Sequence, residues 1–302
     1  MRSRMPPGNS RSPMADGAAP GPGDGPYAGA RIALVTRHGK GRVLGPVLAS
    51  SLGARLEVDA GFDTDALGTF TREVARPGTQ LEAARRKAEA AIERSGASLG
   101  LGSEGAFVGG PFGFGGWNVE LVVLVDRERG IEVVGSAQGP GAHLHGEVRS
   151  ADELDALAGQ AGFPAHGLVL RPDGPDDPRI RKGITDPSEL RAAFDDALRA
   201  SARGVVHVEN DLRAHLNPTR MRMIEQAGRD LAERLLSRCP ACDAPGFGIV
   251  DVVTGLPCAC CGSPTEDAVA DEHACVRCTA RDRRPRPGAA AADPARCQFC
   301  NP

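Results

Sequence analysis

Cys239/Cys242, Cys258/Cys261, Cys275/Cys278 and Cys297/Cys300 form four Cys-x-x-Cys pairs within the last 64 residues, and no cysteine precedes Cys239. A two-residue gap lets both thiolates of a tight turn face one tetrahedral ion, and four thiolates complete a structural zinc shell. The segment can therefore fold only in ways that bring pairs of such turns together. The first two pairs are separated by 15 residues and the last two by 18, the span of a four-cysteine ribbon; interleaved sites would need gaps of 32 and 35. This spacing predicts two consecutive four-cysteine sites holding two Zn2+ ions. Disulfides are the competing use, but the chain carries no secretory signal, which favours a reducing compartment. Cys260, the ninth cysteine, is expected to be a free thiol. Four thiolates leave no open coordination position, so the metal would shape the tail without taking part in chemistry.

Of 302 residues, 41% are hydrophobic but only 4% aromatic, so the core must be built from Ala, Val and Leu. The net charge of −3 argues against broad nucleic-acid binding by the whole chain. No apolar run reaches the roughly 20 residues of a membrane helix, so no membrane partner and a cytoplasmic location are expected. Residues 1–29, rich in Pro, Gly, Ser and Arg, read as a disordered tail. Residues 30–238 would form an α/β body, and 239–302 the zinc domain. Among 36 basic residues only Lys40, Lys87 and Lys182 are lysine. A compact ammonium suits a phosphate oxygen, which singles out these positions.

The body opens with a buried strand, Arg31–Thr36, a polar turn containing His38 and Lys40, a helix from Val43 to Leu52, and a second strand at Ala54–Val58. A loop between a strand and a helix N-terminus is where an anion would sit. Asp63, Asp65 and Glu73 belong to a long polar loop, and such loops are often functional. A helix spans Leu81–Arg94. The run Gly102-Ser-Glu-Gly105 reads as a glycine turn carrying one carboxylate, Glu104, the foremost candidate for a metal-holding or catalytic group. Val108–Gly116 is expected to be a flap. Strands follow at Val119–Asp126 and Ile131–Ser136, then a helix at Asp152–Gln160 and a strand at Gly167–Leu170. A helix at Pro187–Arg203 and a strand at Val205–Val208 precede Arg213, His215 and Arg220, which lead into a helix from Met221 to Leu236. The fold class is thus α/β, a mixed sheet with flanking helices, followed by a small C-terminal double zinc ribbon. In such sheets the strands' carboxyl ends gather on one edge, so Lys40, Glu104 and Arg220 are expected to line one crevice.

Arg37-His-Gly-Lys40, Asp63-Thr-Asp65, Gly68-Thr-Phe-Thr71, Gly102-Ser-Glu-Gly105, Asp211-x-Arg213 and Asn217-Pro-Thr-Arg220-Met221, with the tail ending Cys300-Asn-Pro302, resemble a bacterial family known only as a domain of unknown function. This resemblance covers residues 31–302. Residues 31–140 are also similar, more weakly, to the non-canonical purine nucleoside-triphosphate pyrophosphatases. That likeness implies that Lys40 meets phosphate, Glu104 holds Mg2+ and Lys87 contacts the phosphate chain. The acidic pair expected before the Ala-rich helix is replaced by Gly78-Thr79, so Glu73 or Glu82 would have to substitute.

Three functional classes follow. The first is a Mg2+-dependent enzyme, pyrophosphatase-like, acting on a nucleotide or other phosphorylated small molecule. Here Asp63, Asp65, Glu73 and Glu104 would hold metal, His38 would be catalytic, and Lys40, Lys87, Arg213 and Arg220 would grip phosphate. The second is a non-catalytic adaptor whose zinc tail contacts protein or nucleic acid. A hydrolase of a non-phosphorylated substrate, with His38 or His215 as base, is the third.

Overall fold

The computed structural model describes residues 25–62, 78–109 and 116–301. Asp63, Asp65, Glu73 and most of the expected flap lie outside the described residues. The chain begins with β1 (Arg31–Val35), α1 (Gly41–Leu52) and β2 (Arg55–Asp59), then α2 (Gln80–Ser95), β3 (Leu99–Gly109), β4 (Gly116–Asp126) and β5 (Ile131–Pro140). A second group follows: β6 (His145–Val148), α3 (Ala151–Gln160), β7 (Leu168–Pro172), β8 (Arg181–Ile184), α4 (Pro187–Ala200) and β9 (Val206–Asn210). The long helix α5 (Pro218–Leu236) returns to the first sheet, and β10 (Gly248–Thr254), β11 (Ala268–Ala274) and β12 (Arg281–Pro285) belong to the cysteine-rich tail.

The body contains two sheets rather than one. The first has the order β2-β1-β3-β4-β5, with β1, β2 and β3 parallel and β4 and β5 antiparallel. Side chains alternate across a strand, and here the two faces bury different partners. Ile32, Leu34, Leu101, Val122 and Leu124 pack on Leu44 and Leu48 of α1 and on Ile224 and Leu231 of α5. Ala33 and Val35 point the other way, towards Ala91 of α2. The second sheet, β6-β9-β7-β8, is antiparallel and buries Val206, Val208, Leu168 and Leu170 against Leu154 of α3 and Phe194 of α4.

Residues 26–29, expected to belong to a disordered tail, form a turn instead. Tyr27, only 1% exposed, donates a 3.0 Å hydrogen bond from its hydroxyl to Asp126 Oδ2 beneath the Arg129 guanidinium. An aromatic ring buried with its hydroxyl satisfied overrides the polar composition around it.

Candidate functional site

Gly102-Ser-Glu-Gly105 is not a turn: it lies in the middle of β3, paired with Val123 to Glu120 of β4. The glycines serve helix packing instead. A Cβ on Gly102 would lie 1.8 Å from the carbonyl oxygen of Ala84, and one on Gly100 would lie 2.1 Å from that of Ala88. Without side chains there, α2 lies directly on β3, and Lys87 comes down over Glu104. The two form an ion pair, Lys87 Nζ to Glu104 Oε2, with both residues buried. Gln80, at the start of α2, donates through Nε2 to the carbonyl oxygens of Glu104 and Val119, each at 2.9 Å.

Ser103 and Gly105 face the opposite side, towards α1 and α5. A Cβ on Gly105 would lie 2.3 Å from Arg220 Nη2, so the missing side chain is what admits this arginine. Arg220 Nε donates to Glu120 Oε1 at 2.7 Å, and Nη1 donates to the Leu212 carbonyl. Arg220 is 1% exposed and Glu120 fully buried. Asn217 caps α5 by accepting from Arg220 N, which fixes the root of the side chain. Glu120 Oε2 and both amide atoms of the buried Asn118 make no hydrogen bond among the described residues.

Lys40 stands where β1 has ended and β3 runs on. It is the N-cap residue of α1, and its Nζ donates to Ser103 O at 2.8 Å and to Ser103 Oγ at 3.1 Å. Among the described residues no carboxylate lies within ion-pair distance of it, although it is only 8% exposed. Burial pushes the ammonium down to about 7, against the attraction of Glu120 and Glu104 and with the help of Lys87 and Arg220. The His38 and His215 rings stack beside it, with centroids 5.1 Å apart and planes 16° from parallel. Burial, then His215, Lys40, Arg213 and Arg220, bring His38 down to about 3, so its imidazole is neutral at physiological pH. Arg213 joins this group, held by Asp211 through Nε at 3.0 Å and Nη2 at 2.6 Å.

The expected residues thus divide. His38, Lys40, Arg213, His215 and Arg220 cluster at the carboxyl end of β1. Glu104 and Lys87 lie on the other face of β3, so Lys40, Glu104 and Arg220 do not share one crevice; strand alternation separates neighbours 104 and 105. Glu82, the expected substitute carboxylate, accepts from Thr79 N at 2.7 Å and completes a capping box for α2. Lys182 is exposed on β8 of the second sheet. Sequence reasoning missed Glu120 and Ser103. For Glu120 a signal existed, since a carboxylate inside the apolar run Val119–Val125 must find a partner.

The depressed Lys40 value has a measurable consequence. The unfolded lysine, near 10.5, holds a proton that the folded one has lost between about pH 7 and 10.5. Stability should therefore rise with pH across that window, by at most about 1.4 kcal/mol per unit. Lys40→Met should flatten the rise in Tm between pH 7 and 10; an unchanged slope would contradict the assignment.

In the tail the cysteines gather as Cys239, Cys242, Cys275 and Cys278, and as Cys258, Cys261, Cys297 and Cys300. Among the described residues these are the two groups able to hold a metal ion. The consecutive arrangement is thereby corrected: the tetrads interleave. The antiparallel register explains it. Gly248 of β10 pairs with Ala274 of β11, which lays the third knuckle beside the first. Thr254, paired with Ala268, carries the second knuckle to the other end, and the bridge between Cys258 and Ala292 brings in the last pair. Inter-pair Sγ distances are 3.7 Å in the first tetrad, and 3.8 and 3.6 Å in the second. Sulfurs around a tetrahedral ion with bonds near 2.3 Å sit about 3.8 Å apart. Ser263, through its hydroxyl and then its N–H, lowers the pKa of the Cys261 thiol, while Cys261 in turn raises that of Cys300 in the same tetrad. Cys260 is exposed and belongs to neither tetrad.

No helix among the described residues is long and apolar enough to cross a membrane. Neither a curated protein nor a solved structure matches the chain. One family model does match, over residues 87–302, a span that takes in Glu104, Glu120, Arg220 and both tetrads. This chain is therefore a member of the domain of unknown function family DUF6671.

Proposed function

We propose that the α/β body binds a nucleotide or another phosphorylated small molecule at the carboxyl end of β1, and that the tail is a structural unit holding two zinc ions. The observation that carries the first part is Lys40, a buried ammonium with neutral oxygens as its bonded partners among the described residues. Its surroundings add His38, His215, Arg213 and Arg220 at the mouth of a strand–loop–helix junction, where anions are favoured. Binding has more behind it than Mg2+-dependent hydrolysis, because Glu104 and Glu120 are both engaged in ion pairs with Lys87 and Arg220.

An adaptor role for the tail has less support. Three of the four arginines of the edge strand β12 and its end are neutralised locally, Arg281 by Glu272, Arg284 by Asp282 and Arg286 by Asp271. Thermal shift against inorganic phosphate, nucleoside mono-, di- and triphosphates and sugar phosphates, each with and without Mg2+, tests the binding reading. A phosphorylated compound should raise Tm in wild type and not in Lys40→Met, through linkage to the folded state. If no member of the panel moves Tm, the reading fails.

A further inference from the structure

Lys40 Nζ touches the hydroxyl of Ser103 at 3.1 Å while the carbonyl of the same residue, at 2.8 Å, anchors the amine in place. A serine hydroxyl held against an amine that can lose its proton is the pairing that makes serine a nucleophile. We propose that Ser103 Oγ attacks the phosphorus of the bound ligand with Lys40 Nζ as its base, an inference that rests on the phosphate-binding reading above. As the Oγ–P bond forms, the bond from phosphorus to the leaving oxygen breaks, and the serine proton passes through Nζ to that oxygen. Water then attacks the phosphoserine and gives a proton to Nζ. The P–Oγ bond breaks, and Nζ returns the proton to Oγ.

The chemistry explains why this position is lysine in a chain that writes nearly all its cations as arginine. A guanidinium in the same place could not shed a proton at neutral pH. Lys40, pushed down to about 7, passes readily between its two forms. Arg213 and Arg220 lie close by, each paired with a carboxylate, Asp211 and Glu120.

The test is reaction of the full-length, metal-loaded protein with a fluorophosphonate, followed by peptide mass mapping. Wild type should carry the adduct on Ser103, at a rate that rises with pH through about 7. Lys40→Arg keeps the charge but not the base, so labelling should slow by about a hundredfold or more. Ser103→Ala should take no adduct. An unlabelled Ser103 in wild type, or Lys40→Arg labelled at the wild-type rate, overturns the dyad. A phosphate-induced rise in Tm without labelling defeats the dyad alone and leaves the binding reading standing. Labelling without any phosphate-induced rise overturns the choice of a phosphorus ligand.

Discussion

The double variant Cys242→Ser/Cys275→Ser should retain one metal ion per chain, and Cys242→Ser/Cys258→Ser should retain none. The first pair of substitutions falls within a single tetrad, whereas the second damages both. Consecutive ribbons would give the opposite result, because Cys242 and Cys258 would then share a site. The effect on stability should be large. Structural zinc sites release on the order of 10–16 kcal/mol when they form in small peptides, far more than the weakly covered strands β10 to β12 can supply alone. The segment beyond Arg238 should unfold in the variant with no metal, while the helices α1 to α5 of the body keep their circular dichroism. Metal analysis after dialysis, read beside a Tm for each variant, decides the matter; equal metal content in the two variants would refute the interleaved pairing.

Arg220→Met should lower Tm by roughly 10 °C or more. The substitution strands Glu120 as a buried charge without its guanidinium, and breaking a buried ion pair from one side costs about 3–5 kcal/mol. In a body of this size each kcal/mol corresponds to about 2–4 °C. Restoring neutrality should recover most of the loss, since replacing both members of a buried pair by apolar groups is often close to neutral. Arg220→Met/Glu120→Leu is therefore expected to melt well above Arg220→Met. If the double variant melts lower still, Glu120 is held by something other than Arg220.

Much of the fold was legible because periodicity is a local property. The β1–α1–β2 opening, the apolar strand β4 and the long helix α5 each carry an unbroken hydrophobic pattern. The short strands β6 and β8 were not legible: His145–Val148 and Arg181–Ile184 are four residues each and largely polar. Glycine misled at β3, where Gly102 and Gly105 look like turn residues but exist to admit the backbone of α2 and the side chain of Arg220. The same strand alternation that a pattern reader uses elsewhere puts Glu104 and Arg220 on different faces. The cysteine pairing failed for a related reason. Spacing along the chain measures which knuckles can meet early, whereas the register of β10 on β11 decides which knuckles do meet. Lys40 stood out by its rarity, but its contact with Ser103 spans 63 residues and leaves no trace in local sequence.

The interleaved tetrads also set how the tail acquires its metal. Closing the first tetrad joins residue 242 to residue 275 and traps the second knuckle inside that loop, while the second tetrad in turn encloses the third knuckle. Filling either site therefore shortens the free chain that the other must still close, and loop closure is less costly for a shorter span. An ion in one tetrad would thus favour an ion in the other without touching it. The gain is a fraction of a kcal/mol, because even a doubling of loop length changes the closure cost by only about 0.6 kcal/mol.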